Sequence, residues 1–87
     1  MKLVFLLGEK RRVYLDISAI GDLDFTIHAG SYKLICSGNV EASEDCVIHG
    51  HTLSALIKPQ KRGRYDLRFQ YEIGDEIFKE NVEIEVR

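Results

Sequence analysis

The stretch Gly63 to Val86, GRYDLRFQYEIGDEIFKENVEIEV, constrains the chain more than any other. Tyr65, Leu67, Phe69, Tyr71 and Ile73 alternate with Asp66, Arg68, Gln70 and Glu72, the period-two pattern of a strand with one buried face. Gly74-Asp75 then interrupts the pattern. A glycine at the first position of a two-residue loop takes positive φ without steric cost, which suits a type II′ turn between antiparallel strands. Pairing across that turn sets Tyr71 opposite Phe78, Leu67 opposite Val82 and Tyr65 opposite Ile84, so turn and pattern specify the same register. Glu80 breaks the pattern by falling on the apolar face opposite Phe69. It predicts either a bulge near Lys79-Glu80 or an open, wet edge there. Ile77 to Val82 could be forced into a helix, but Val82 to Val86 alternates too cleanly for one.

The remainder reads as more short strands. Leu3 to Leu7 is a nearly continuous apolar run, suited to a strand covered on both sides or lying at a subunit contact. Gly8-Glu9-Lys10-Arg11 turns the chain into Val13, Leu15 and Ile17, which alternate with polar partners. Ile20-Gly21-Asp22 is a break. Leu23, Phe25 and Ile27 form a short strand that Ala29-Gly30-Ser31 is expected to end, and Tyr32, Leu34 and Cys36 form another before Ser37-Gly38-Asn39. Val40 to Asp45 is an edge strand or a loop, Cys46-Val47-Ile48 a short strand, and Leu53, Ala55 and Ile57 a clearer one that Pro59 stops. Turn signals every 8–12 residues or so argue for an all-β sandwich or small barrel.

With 87 residues the chain is expected to be one domain, 1–87, burying roughly 60–65% of its unfolded surface. Its net charge of −2 gives no bulk electrostatic reason to bind nucleic acid or an acidic membrane. The opening apolar run ends at Gly8, short of the roughly 7–15 residues of an export core, so synthesis in the cytoplasm with Cys36 and Cys46 reduced is the expectation.

Several clusters carry chemistry worth weighing. Cys46, His49 and His51 are candidate zinc ligands, needing a fourth from Cys36, His28 or a carboxylate. The glycine between the histidines favours a plain turn, and no metal or other cofactor is expected. A Cys36–Cys46 bridge requires neighbouring strands. Lys10, Arg11 and Arg12 together with Lys61, Arg62 and Arg64 would grip phosphates if the two turns converged near Tyr14, which falls on the polar parity of its strand. Solvated turns are the plainer reading, so a small nucleic-acid-binding β-barrel is the alternative rather than the expectation. Glu41, Glu44 and Asp45 make an acidic patch that reads as solvated. No Gly-x-Ser-x-Gly, phosphate-cradling glycine loop or His-Glu-x-x-His occurs, so an enzyme is not expected and no small-molecule substrate is evident.

Lys61-Arg62-Gly63-Arg64-Tyr65-Asp66-Leu67 has the Gly-x-Tyr-x-apolar spacing of the corner entering strand F of immunoglobulin-like domains. In those domains the Tyr hydroxyl bonds to backbone just upstream, and Leu67 stands where antibody domains place a cysteine. Taken with Tyr32-Lys33-Leu34, Ser37-Gly38 and Ile48 to Ile57, the order resembles the short immunoglobulin-like domains of phage and prophage structural proteins, including baseplate and head–tail associated ones. The resemblance covers roughly Tyr32 to Val86 and lacks the core Trp and the Cys pair of antibody domains. It implies an immunoglobulin-like antiparallel β-sandwich of about seven short strands, with Gly63, Tyr65 and Leu67 as a structural corner. It also implies a non-enzymatic structural or protein-interaction module of a virion, whose partners are copies of itself or a neighbouring virion protein. No functional residue is carried over by it.

Overall fold

The computed structural model describes residues 2–18 and 24–87. Eight strands are present among them: β1 (Lys2–Phe5), β2 (Arg11–Asp16), β3 (Ile27–Cys36), β4 (Asn39–Asp45), β5 (Val47–His49), β6 (Thr52–Ile57), β7 (Gly63–Ile73) and β8 (Glu76–Val86). They form a five-stranded sheet, β1-β8-β7-β3-β4, and a three-stranded sheet, β2-β6-β5. β2, β6 and β5 correspond in order to strands B, E and D of the immunoglobulin sandwich, and β8, β7, β3 and β4 to G, F, C and C′.

The hairpin β7–β8 is the centre of the larger sheet and has the register its alternation specifies. Tyr71 faces Phe78, Leu67 faces Val82, Tyr65 faces Ile84 and Arg64 faces Glu85. Gly74 has φ 60°, and Asp75 is not in the positive-φ region, as a type II′ loop requires. The ladder runs without a shift past Lys79-Glu80. Of the two outcomes expected at Glu80, the wet edge is therefore the one realised: Glu80 is exposed although Phe69 opposite is fully buried.

Three departures have physical causes. β1 is not antiparallel: it lies parallel to β8, Lys2 beside Glu83 and Phe5 beside Val86, because the chain after it crosses to the other sheet instead of folding back as a hairpin. With β1 the strand number is eight rather than about seven. Nor is β1 covered on both sides, since Phe5 is buried while Val4 is exposed.

The second departure is β3, one strand where two were expected. Ala29-Gly30-Ser31 pairs with Glu72, Tyr71 and Gln70 straight through. Gly30 is there for close approach and not for a turn, because a Cβ on it would lie 3.0 Å from Leu53 Cδ2 of the facing sheet. Phe25 precedes the strand, and Leu23 and the Ile20-Gly21-Asp22 break lie outside the described residues.

The third is a pair of bulges. β3 and β7 slip between Ile27 and Ala29, leaving His28 unpaired, and β3 and β4 slip so that Leu34 pairs with Ala42 but Ile35 with Val40, leaving Glu41 unpaired. The core between the sheets is built from Phe5, Val13, Ile27, Tyr32, Leu34, Leu53, Ala55, Ile57, Tyr65, Leu67, Phe69, Tyr71, Val82, Ile84 and Val86. No helix among the described residues is long and apolar enough to cross a membrane.

Candidate functional site

The corner at Tyr65 is the most developed polar constellation. The side chain is buried between the sheets, and its hydroxyl accepts a hydrogen bond from the Lys61 N–H at 3.1 Å. The same hydroxyl donates to Glu41 Oε2 at 2.5 Å, while Glu41 Oε1 accepts from the Gln60 N–H at 2.9 Å. Glu41 reaches this position because it is the extra residue of the β4 bulge, a device that turns a side chain off the strand's normal alternation. Burial, then the Glu41 carboxylate, push the Tyr65 phenol up to about 12. Around the corner lies a hollow of about 400 Å³ rimmed by Cys36, Ser37, Asn39, Glu41, Gln60, Lys61 and Arg62. Leu67, the third residue of the corner motif, is fully buried below it.

The other bulge works the same way at the opposite end. His28 Nε2–H donates to the Gly74 carbonyl at 2.8 Å, tying the β7–β8 turn to β3. His51 sits in the β5–β6 turn, its ring stacked on Phe25 at 3.8 Å and its Nε2–H donated to the Phe25 carbonyl. A continuous strand would put His49 and His51 on one face, and the glycine between them favours a turn instead. The structure separates them, since β5 ends at His49 and Gly50-His51 is the loop. Cys46, half-buried beside Gly30, has its thiol pushed up to about 11 by burial and by Asp45. Cys46, His49 and His51 are thus not assembled, and among the described residues no three His, Cys, Asp or Glu side chains converge as a metal site would need.

The cysteines stand at opposite ends of β3. Cys36 is paired with Asn39, whereas the Cys46 N–H bonds to the Gly30 carbonyl. Six residues of strand separate those levels, about 20 Å, well beyond the reach of a bridge.

The basic residues divide three ways. Arg11 donates to the Val4 carbonyl and lies over the Phe5 ring, 4.5 Å from its centroid, sealing that end of the core. Arg12 donates to Ser54 Oγ on the outer face of the three-stranded sheet, and Arg64 pairs with Glu83 on the outer face of the other sheet. Lys10, Lys61 and Arg62 are exposed at the end of the sandwich where β2 and β7 begin. On the first of these outer faces, Arg12, Tyr14, Val47, His49, Thr52 and Ser54 line an open hollow of about 370 Å³ with the Tyr14 ring exposed. Thr52 Oγ1 is occupied in donating to Asp16.

The margin formed by β1 and β8 differs in character. Val4, Leu6, Leu7, Ile77 and Phe78 are all exposed there, and Phe78 stacks on Tyr71 with ring centroids 5.5 Å apart. Every residue from Glu76 to Asn81 is exposed. The sequence predicts a bulge or an open, wet edge near Lys79-Glu80 and by parity places Phe78 in the core; it presents Glu41 as part of a solvated acidic patch, because a bulge in β4 is set by the partner strand.

No family model matches this chain, and neither does any curated protein. Among solved structures, it is similar to the crystal structure of an engineered protein from the Northeast Structural Genomics Consortium, with TM-score 0.75 at 13% sequence identity. The alignment covers 98% of this chain and 18% of the engineered one, so the chain spans under a fifth of the length of that neighbour. At that identity the likeness concerns the fold, an all-β sandwich of two packed sheets.

Proposed function

We propose that this domain is a non-enzymatic structural or protein-interaction module. On the resemblance of Tyr32 to Val86 to phage and prophage domains, we place it in a virion or its assembly line. The observation that carries the interaction reading is the β1–β8 margin, where Val4, Leu6, Leu7, Ile77 and Phe78 are exposed along one side of the larger sheet. Val4, Leu6 and Leu7 lie at the Arg87 end of that margin and Ile77 and Phe78 at its Gly74 end, and exposed apolar side chains along an edge strand mark a surface that meets another protein. The polar groups are meanwhile engaged in holding turns: Glu41 holds the Tyr65 corner, His28 the Gly74 turn and His51 the Phe25 backbone.

Light scattering across a concentration series, on the chain alone and mixed with the products of its neighbouring reading frames, tests the proposal. Self-association or a stoichiometric complex is the expected result. A strict monomer that binds none of those proteins contradicts it, as does a salt-dependent affinity for single-stranded DNA or RNA lost on reversing Lys10, Lys61 and Arg62.

A further inference from the structure

Among the described residues, β8 is bonded on one side along its whole length and on the other from Glu83 to Val86. The Arg87 N–H donates to the Phe5 carbonyl and the Arg87 carbonyl accepts from the Leu7 N–H, so the odd-numbered residues at this end of the chain turn their backbone groups toward β1. Alternation along a strand carries that orientation back through Glu85 and Glu83 to Asn81, Lys79 and Ile77. β1 reaches only as far as Lys2, opposite Glu83. Among the described residues no strand lies beside Glu76 to Asn81, and three N–H and three C=O groups there face outward. An open row of this sort is a template for another strand.

The side chains specify what that strand carries. Glu76, Phe78 and Glu80 share the inward face, an aromatic ring between two carboxylates at two-residue spacing, and Ile77, Lys79 and Asn81 share the outward face. The covered half of the same edge shows the complement at work, because β1 brings a basic residue followed by apolar ones, with Lys2 Nζ 3.8 Å from Glu85. A second copy of β8 complements the open half poorly. A two-fold normal to the sheet keeps like faces together, and its two longest registers set Glu76 against Glu80 or Lys79 against itself.

We propose that the edge of β8 from Glu76 to Asn81 is a strand-addition site for an extended segment of a partner protein, one whose apolar residue is flanked at two-residue spacing by basic ones. This rests on the interaction-module reading and names the edge and the chemistry of its partner. Main-chain bonds to Ile77, Lys79 and Asn81 hold the added strand. Glu76 and Glu80 select its charges, and Phe78 covers its apolar side chain.

The probe is a synthetic peptide with the core Lys-Thr-Val-Thr-Lys, palindromic so that strand direction is not presupposed, against the same peptide with Glu for Lys. Amide chemical shifts of the full chain report the site. The expected result is perturbation confined to Glu76–Asn81 and the facing Tyr71, with binding about tenfold tighter for the lysine peptide and weakening as salt is raised. Lys79→Pro removes an outward N–H that has no internal acceptor, so the domain keeps its native spectrum while binding is lost. The double variant Glu76→Lys, Glu80→Lys reverses the preference between the two peptides. Equal binding of both peptides, binding of neither, perturbation centred on β4 or on the Tyr14 hollow, or undiminished binding by Lys79→Pro overturns the site. If neither peptide binds yet light scattering shows assembly, this edge is wrong and the module reading stands. If assembly is absent too, both fall.

Discussion

Tyr65 Oη and Glu41 Oε2 lie 2.5 Å apart, and through that bond a strand at one margin of the sheet holds the corner at its centre. Glu41 also takes the Gln60 N–H, and Tyr65 the Lys61 N–H, so two backbone donors of the β6–β7 connection are satisfied by two side chains that are themselves bonded. Mutating either residue therefore exposes the other's need for a partner. Tyr65→Phe and Glu41→Ala are each expected to cost about 1–3 kcal/mol in urea unfolding. The double variant should cost less than the sum, with a coupling of about 1 kcal/mol. Strict additivity would show the two act independently.

The same phenol sets an alkaline limit on stability. Its folded value, pushed up to about 12, lies above the ordinary value of 10.0, so the folded state holds the proton more tightly than the unfolded chain. The resulting stabilisation is complete below pH 10 and is lost as pH rises through 12. It amounts to at most about 2.7 kcal/mol. Tyr32 and Tyr71 are displaced in the same direction, chiefly by burial and then by Glu44 and Glu80. Urea midpoints measured across this range should fall, and Tyr65→Phe, though less stable at neutral pH, should show the shallower fall.

Gly30 keeps the two sheets close. A Cβ there meets Leu53 Cδ2 at 3.0 Å in a fully buried side chain, so Gly30→Ala is expected to destabilise by about 1 kcal/mol despite the entropy gained by replacing a glycine. Adding Leu53→Val, which withdraws the crowding methyl, should make the Gly30→Ala step cheaper than it is alone. An increase in thermal midpoint on Gly30→Ala would refute the close-approach account.

Glu80 has a different task. It occupies an inward-parity position on an open edge, where a carboxylate discourages unplanned strand pairing. Glu80→Val is expected to raise the unfolding free energy by up to about 1 kcal/mol, through β propensity and contact with Phe69, while lowering solubility. Centrifugation assays at increasing concentration check the second half of that statement.

The hairpin β7–β8 was legible in the amino-acid order because each of its determinants is local: strict alternation from Tyr65 to Ile73, and a glycine where positive φ is needed. The Tyr65 corner was legible for the same reason, since Lys61 is four residues away. What escaped depends on neighbours distant in the chain. Gly30 resembles a turn residue until Leu53 is placed above it. Glu41 looks like one of several solvated acids until β3 imposes a bulge. Phe78 has core parity, yet β8 carries it beyond the cover that buries Phe69 and Tyr71, and alternation alone cannot say how far a facing sheet extends.

The open edge of β8 is tested most directly by amide hydrogen exchange in the free protein. Phe78 and Glu80, whose N–H groups point to β7, are predicted to exchange slowly, and Ile77, Lys79 and Asn81 between and beyond them to exchange nearly as fast as unstructured chain. Uniform protection from Glu76 to Asn81, or slow exchange at the odd-numbered positions, would mean that the edge is already covered and would contradict the account.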